Sequence, residues 1–318
     1  MYVLIAAREA EEYRKSLVPL FPEVEFHAVE RESDIRDHAG RMEVLITVYR
    51  VANELLRQAT RLQWIQVTTV GVNYLLDRPS LRREVVVTSC RGIHGPQMSE
   101  MAILMMLALN RDFSRSVRNQ DRGQWERWPG KLLFRKHVAI LGIGTIGEAI
   151  AEKCKCFGMT VSGIDIVERS LACVDIFHPP DRLPEVAAEI DYLILVAPST
   201  TETRGIVGEK VLSRMKPTAY LINIARGELV DDAALIRALE AGKIAGAALD
   251  VFSVEPLPAD HPLWRTKNII ITPHVGGMSD IYVEQTLPII TENLRRFIHG
   301  ERRDLVNYIE SLDPPSKK

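Results

Sequence analysis

The chain has 318 residues, a length that predicts about two domains and leaves ample material for a buried core. Hydrophobic residues make up 46% and charged residues 26% of the sequence, an ordinary globular balance that excludes an intrinsically disordered chain. The 40 basic and 42 acidic side chains leave a formal net charge of −2, so no basic surplus is present to neutralise the phosphates of a nucleic acid.

The apolar runs, the cysteines and the histidines predict the cellular compartment and whether the protein binds metal. The longest strongly apolar run, residues 101–109, is well short of the roughly 20 residues that a membrane-spanning helix needs. The first residues predict a strand and lack the pattern of a secretory signal peptide. The four cysteines are scattered, and the eight histidines include no pair at the helical spacing that metal sites favour. We therefore expect a reduced, cytoplasmic protein that binds no metal.

The first third of the chain alternates short apolar runs with amphipathic segments. Helices are predicted at residues 9–17 and 52–58, and strands at residues 2–6, 24–28, 44–48, 64–67 and 85–88. This alternation is typical of a small doubly wound α/β unit. Gly95 and Pro96 then open a long helical pattern from Ser99 to about Asn119, since proline is tolerated in the first turn of a helix. The helix is apolar at its start and basic later, so we expect it to pass between two domains.

A second series of predicted strands follows, and several of them are continuous apolar runs. Such runs are typical of parallel strands that are buried on both faces of a sheet. The predicted strands are residues 137–141, 160–164, 192–197, 219–224, 245–249 and 269–272, and the predicted helices include 146–157, 232–241 and 279–299. Residues 313–318 are predicted to be a polar tail.

A G-x-G-x-x-G motif occupies residues 142–147, directly after one predicted strand and at the start of the next helix. In such a turn Gly142 permits the tight bend, Gly144 lets the backbone approach a pyrophosphate, and Gly147 lets the helix pack closely on the strand. The first helical residues, Thr145 and Ile146, then offer backbone N–H groups to the phosphates. Glycine-rich turns also occur for packing alone, so this motif by itself is a weak signal.

Asp165 strengthens the dinucleotide interpretation, because it ends the strand that follows the glycine turn. An acidic group at this position can accept hydrogen bonds from the adenosine ribose hydroxyls and repels the additional phosphate of NADP. The sequence therefore predicts NAD as the cofactor. Arg169 lies nearby and keeps NADP open as the less favoured alternative.

Three later segments carry a resemblance to a known family. They are residues 221–231 (LINIARGELVD), 247–257 (AALDVFSVEPL) and 272–277 (TPHVGG). Together with the glycine turn they closely resemble the D-isomer-specific 2-hydroxyacid dehydrogenases, over residues from about 92 to about 280. The resemblance implies two doubly wound, parallel-sheet, Rossmann-like domains. A dinucleotide-binding domain (97–284) would be inserted into a discontinuous, flavodoxin-like substrate domain (1–96 and 285–318).

Three residues supply the chemistry that reduction of a 2-oxo acid needs. Arg226 offers a permanently charged planar fork for carboxylate and carbonyl oxygens. His274 has the side-chain type that donates and accepts a proton near neutral pH, and Glu255 can orient its imidazole. Each residue also has a structural interpretation: Arg226 in an ion pair with Glu228 or Asp231, Glu255 as a solvated strand exit, and His274 as a turn residue. Their order after a nucleotide turn favours the catalytic interpretation.

The resemblance implies further contacts with the cofactor and the substrate. Asp250 would meet the nicotinamide carboxamide. The substrate carboxylate would be held by backbone N–H groups of the loop 69–73, with Val70 and Gly71 at its centre, together with Arg226 and His274. Asn73 stands where an acidic residue is more common in the family. Other positions in the cofactor cleft would be Ala197, Pro198, Thr203, Ala225 and Gly276.

The long helix carries four methionines, at positions 98, 101, 105 and 106, and is followed by Trp125 and Trp128. The methionines are predicted to form a core stripe, with a binding surface as the alternative. In relatives this helix region builds a dimer interface, so the resemblance implies a homodimer.

The predicted function is NADH-linked reduction of a small 2-oxo acid to its D-2-hydroxy acid, or the reverse reaction, with His274 as general acid and base. One alternative is a nicotinamide-sensing, corepressor-like binding protein, since such proteins resemble this family and keep the same residues. A second alternative is formate dehydrogenase, whose resemblance carries glutamine beside the catalytic histidine. Formate oxidation needs no proton relay, so Glu255 favours the hydroxyacid reaction.

Overall fold

The computed structural model describes residues 1–76 and 78–309, so the predicted polar tail lies outside the described residues. The described chain forms two compact units: Met1–Ile93 together with the residues from Ser279 onward, and His94–Met278. These boundaries fall earlier than the predicted ones, after residues 96 and 284. The second boundary is earlier because Val283, at the start of the last helix, already packs in the core of the first unit.

In the described residues of the first unit, five parallel strands form one sheet in the order β2-β1-β3-β4-β5. The strands are β1 (Tyr2–Ala6), β2 (Glu25–Val29), β3 (Val44–Thr47), β4 (Trp64–Val67) and β5 (Val86–Ser89). The helices are Ala10–Leu17, Asn53–Gln58, Asn73–Leu76 and Tyr282–Ile298. Each face of the sheet carries its own apolar cluster, so the unit has the layered, flavodoxin-like order that was predicted.

The second unit contains seven parallel strands among its described residues, in the order β12-β11-β10-β9-β6-β7-β8. The strands are β6 (His137–Leu141), β7 (Thr160–Ile164), β8 (Ile176–His178), β9 (Tyr192–Leu195), β10 (Tyr220–Asn223), β11 (Gly246–Leu249) and β12 (Ile269–Ile271). The helices are Gly95–Asn110, Phe113–Asp121, Thr145–Cys156, Leu183–Ala187, Glu209–Leu212 and Asp232–Glu240. Both faces are covered, which confirms the predicted Rossmann-like architecture.

Short 3₁₀ segments complete the two units, at Val18–Leu20, Glu32–His38, Pro180–Arg182, Gly227–Leu229 and Pro262–Arg265. The predicted helix at 99–119 is wrong, because the chain forms two helices that are separated at Asp112. This residue adopts a left-handed conformation (φ 47°), which a short polar side chain tolerates and which ends a helix. Strand β8 was not predicted, because it is only three residues long and lies partly exposed at the sheet edge.

The four methionines of the first long helix behave as core residues. Met98, Met105 and Met106 are buried in the cluster on one face of the seven-stranded sheet, and Met101 packs against it. The core-stripe interpretation is therefore confirmed. None of the described helices is long and apolar enough to cross a membrane. Within residues 1–76 and 78–309, no group of three or more His, Cys, Asp or Glu side chains is placed to hold a metal ion.

Candidate active site

The glycine turn after β6 is shaped by two close backbone approaches. A Cβ on Gly142 (φ 99°) would lie 2.7 Å from the backbone nitrogen of Ala197, and a Cβ on Gly147 would lie 2.1 Å from the carbonyl oxygen of Gly142. A Cβ on Gly144, in contrast, would meet nothing within 4 Å. Packing therefore requires glycine at the first and third positions, whereas Gly144 borders open space in which a pyrophosphate can approach the backbone.

The helix Thr145–Cys156 starts directly at this opening. Its first internal hydrogen bond runs from the N–H of Glu148 to the carbonyl of Gly144. The N–H groups of Thr145, Ile146 and Gly147 precede that bond, as in the first turn of any α-helix. Such N–H groups, with the positive end of the helix dipole, suit the phosphates of a dinucleotide.

Asp165 follows β7, and its carboxylate is fixed beside the glycine turn. The Oδ2 atom accepts a hydrogen bond from the N–H of Ile143 at 2.7 Å, and Oδ1 accepts one from the N–H of Ile166 at 2.7 Å. Oδ1 also accepts a longer hydrogen bond from the N–H of Val167 at 3.4 Å, so one of about four lone-pair positions on the carboxylate remains for a ribose hydroxyl. The structure thus brings the predicted ribose-binding residue against the predicted phosphate-binding turn.

The segment after β9 lies beside the same turn through Ala197, whose Cα is 2.8 Å from the Cβ position of Gly142. Pro198 is exposed, and its carbonyl accepts a hydrogen bond from the hydroxyl of Thr203 at 2.7 Å. The same hydroxyl oxygen accepts the N–H of Thr200 at 2.7 Å. Thr203 therefore shapes the loop that the family resemblance assigned to the cofactor cleft.

Arg226 follows β10, and a buried amide holds its backbone. Asn223 is 1% exposed; its Oδ1 accepts the N–H of Ala225 at 3.1 Å, and its Nδ2 donates to the carbonyl of Arg226 at 2.9 Å. The guanidinium of the half-buried Arg226 donates to the carbonyl of Ala225 at 2.6 Å. Asn223 was not predicted as a functional residue, although a polar residue at the end of the apolar run 220–222 is a usable signal.

Gly227 joins the Arg226 turn to the loop after β11. A Cβ on Gly227 would lie 1.9 Å from the carbonyl carbon of Phe252 and 2.1 Å from the nitrogen of Ser253. The two loops therefore pack backbone against backbone. The N–H of Phe252 in turn donates to Oε1 of Glu255 at 2.9 Å, so this contact connects the Arg226 turn with Glu255.

Glu255 and His274 form a side-chain pair at the carboxyl edge of the seven-stranded sheet. Oε2 of Glu255 lies 2.7 Å from Nδ1 of His274, and the two side chains are 26% and 47% exposed. Because Nδ1 contacts the carboxylate, Nε2 is the ring nitrogen that remains to exchange a proton with a reacting group. The pair has the geometry of an imidazole whose orientation is fixed by a carboxylate.

Asp250 follows β11 and is 1% exposed. Its Oδ1 accepts hydrogen bonds from the hydroxyl of Thr272 at 2.6 Å and the N–H of Val275 at 3.0 Å, and its Oδ2 accepts the N–H of Gly276 at 2.9 Å. These three donors flank His274. Thr272 was not singled out in the sequence, because its hydroxyl is important only through this contact with another strand end.

Val70 and Gly71 lie half-buried in the first unit, just after β4. Two residues before Val70, the carbonyl of Thr68 accepts a hydrogen bond from the hydroxyl of Tyr282 at 2.9 Å. The side chain of Asn73 is outside the described part of the structure. The structure thus brings Arg226, Glu255 and His274 to the edge of one sheet, whereas the predicted carboxylate loop belongs to the other unit.

Comparisons with known proteins show which family the chain resembles. Residues 103–276 match the family model "D-isomer specific 2-hydroxyacid dehydrogenase, NAD binding domain". A glyoxylate reductase from Pyrococcus furiosus is 33% identical, over 88% of this chain and 87% of the relative. A D-3-phosphoglycerate dehydrogenase from Methanocaldococcus jannaschii is 30% identical over 85% of this chain, which spans about half (51%) of that relative's length.

Solved structures are similar over nearly the whole chain. A protein of the D-isomer specific 2-hydroxyacid dehydrogenase family from Aeromonas salmonicida superposes with a TM-score of 0.89 at 34% identity, covering 98% of this chain and 99% of that one. A D-isomer specific 2-hydroxyacid dehydrogenase from Xanthobacter autotrophicus, in complex with NADPH and MES, has a TM-score of 0.81 at 28% identity, covering 97% and 98%.

Proposed function

The chain belongs to the D-isomer-specific 2-hydroxyacid dehydrogenases, and we propose that Arg226, Glu255 and His274 carry out its reaction. It is an NAD-dependent oxidoreductase that acts between a nicotinamide cofactor and 2-oxo or 2-hydroxy acids. The observation that supports the residue assignment is the 2.7 Å contact between Glu255 Oε2 and His274 Nδ1, on the sheet whose first strand opens into the glycine turn.

The residues of the glycine turn fit a dinucleotide. The space beside Gly144, the first-turn N–H groups of Thr145–Cys156 and the fixed carboxylate of Asp165 would hold the pyrophosphate and the ribose. When bound, the reduced cofactor supplies the hydride. We propose that NAD is preferred over NADP, because the charge of Asp165 opposes a 2′-phosphate. Because the similar Xanthobacter protein was solved in complex with NADPH, the test compares NADH with NADPH.

Each proposed catalytic residue has one task. The guanidinium of Arg226 binds the carboxylate and polarises the carbonyl of the 2-oxo acid. His274 donates a proton from Nε2 to the carbonyl oxygen during reduction and accepts it during oxidation. Glu255 accepts the Nδ1–H of His274 and stabilises the charged imidazolium before the proton is transferred.

The first experiment is a panel of 2-oxo acids with NADH and NADPH, followed by the absorbance of the reduced nicotinamide. Formate with NAD is included, because it tests the second alternative directly. His274→Ala should lower kcat by about 10² to 10⁴ and leave NADH affinity unchanged. Arg226→Lys keeps the charge without the planar fork, so it should raise KM and lower kcat. Near-normal turnover by His274→Ala would remove His274 from the mechanism.

We also propose that the protein is a homodimer. Six large apolar side chains on the described surface of residues 104–134 are exposed: Leu104, Phe113, Val117, Trp125, Leu132 and Phe134. Trp125 is 89% exposed, and an apolar surface of this kind is typical of an interface between subunits. Light scattering after size exclusion tests the proposal, since Trp125→Ser should shift the protein toward the monomer. A wild-type monomer at micromolar concentration would contradict it.

The proposed location is the reducing cytoplasm. Cys90, Cys154 and Cys173 are buried free thiols, and Cys156 is an exposed free thiol. Free thiols persist where glutathione and thioredoxin keep cysteines reduced.

A further inference from the structure

The carboxylate of Asp250 is the centre of the turn that presents His274. The turn runs from Thr272 to Gly276, and three of its groups donate hydrogen bonds to Asp250: one hydroxyl before His274 and two backbone N–H groups after it. Asp250 is itself anchored, since its N–H donates to the carbonyl of Asn223 at 2.9 Å. A buried strand end therefore holds both sides of the turn.

The backbone of this turn explains why it needs such an anchor. His274 has φ 54°, in the left-handed region that residues with a Cβ rarely adopt. A left-handed residue in a turn aims the N–H groups that follow it into one concave anion-binding nest. The N–H groups of Val275 and Gly276 form this nest, and Oδ1 and Oδ2 of Asp250 occupy it. A Cβ on Gly276 would lie 2.9 Å from Oδ2, so glycine permits the close approach.

We propose that Asp250 is a positioning residue for His274, with Thr272 as its partner: together they hold the turn in the conformation that directs Nδ1 of His274 at Glu255. This inference rests on the proposed role of His274. The family resemblance suggested a different role for Asp250, contact with the nicotinamide carboxamide. The turn occupies three of about four acceptor positions on the buried carboxylate, which supports the positioning role.

Thr272→Val offers a clean test, because it removes one hydrogen bond to Asp250 and alters no group proposed to touch substrate or cofactor. We expect kcat to fall by about tenfold, since small misplacements of a catalytic group reduce the rate strongly. The dissociation constant for NADH should stay within about twofold of the wild-type value. Thr272→Ser restores the hydroxyl and should recover kcat. Thr266→Val is the matched control, since its hydroxyl donates to the carbonyl of Pro262 at 3.1 Å away from this turn.

Asp250→Asn is the stronger variant, because its amide would present a donor to a group that already donates. It should lower kcat by about 10² or more with little change in NADH affinity, provided thermal unfolding shows that it folds. The ring resonances of His274 supply a readout that does not depend on turnover: both Thr272→Val and Asp250→Asn should shift them, and Thr266→Val should not. If Asp250→Asn does not fold, Thr272→Val and its rescue by serine decide the matter.

The outcomes separate this inference from the function on which it rests. If His274→Ala retains wild-type turnover, the proposed function fails. If His274→Ala is inactive while Thr272→Val keeps the wild-type kcat and His274 resonances, only the positioning role is overturned. A large rise in the NADH dissociation constant for Asp250→Asn, with kcat at saturating cofactor unchanged, would likewise overturn it and favour the carboxamide contact.

Discussion

Two kinds of turn leave the carboxyl edge of the seven-stranded sheet, and they differ in how the backbone is packed where each turn is tightest. The turn after β6 has no side chains where it is tightest, so Gly142 and Gly147 bring backbones into direct contact. The turns that carry Arg226 and His274 are held by buried side chains at strand ends, Asn223 and Asp250. A turn that receives phosphates must expose its own N–H groups. A turn that presents a side chain needs its backbone fixed from the interior.

Gly227 combines both kinds of stabilisation in one turn. It lies in a catalytic turn, yet it acts as the packing glycines do, because its missing Cβ lets the Arg226 turn touch Phe252. Through the N–H of Phe252 this contact reaches Glu255. The turn that carries Arg226 therefore also depends on a direct backbone contact, the one between Gly227 and Phe252.

Among the glycine substitutions, Gly227→Ala has the largest expected effect, because the added Cβ would lie 1.9 Å from the carbonyl carbon of Phe252. The backbones must separate, which displaces Arg226 and Glu255 together. We expect kcat/KM to fall by at least about 10²-fold, the order associated with a displacement of about 1 Å. Steady-state kinetics with the best 2-oxo acid measures this. Gly40→Ala is the matched control, since nothing lies within 4 Å of that Cβ position, and normal kinetics for Gly227→Ala would refute the coupling.

Alanine in the glycine turn should separate packing from ligand binding. Gly147→Ala places a Cβ 2.1 Å from the carbonyl oxygen of Gly142, so we expect a loss of about 1–3 kcal/mol in the free energy of unfolding. Gly144→Ala meets no protein atom, so its stability should stay near wild type while the dissociation constant for NADH rises by about tenfold or more. Urea unfolding and NADH fluorescence measure the two effects. Equal loss of stability in both variants would contradict the division of roles.

The sequence was most informative where local pattern determines structure. The glycine turn, the alternation of strands and helices, and the order of Arg226, Glu255 and His274 are all carried by short segments. Contacts between strand ends were not predictable in this way. Two such contacts exist because β11 lies between β10 and β12 in the sheet. They are the contact of Gly227 with Phe252 and that of Thr272 with Asp250. The helix break at Asp112 was missed because no glycine or proline between residues 99 and 119 marks it in the sequence.

A smaller effect should appear in the pH dependence of the free energy of unfolding, through the buried imidazole of His94. His94 lies 3.5 Å from the Cβ position of Gly277, and burial lowers the pKa of its imidazole from 6.5 to about 4. The unfolded chain therefore binds this proton more readily, so stability is fully present above pH 6.5 and is lost as pH falls toward about 4. The loss in the free energy of unfolding should be about 1–3 kcal/mol.

His94→Gln tests this effect. Glutamine does not titrate, so the free energy of unfolding of this variant should fall less with acid than that of the wild type. Hydrogen exchange should rise at residues 276–278 before it rises at residues 143–147. Parallel pH curves for the two proteins would show that His94 contributes nothing to acid sensitivity.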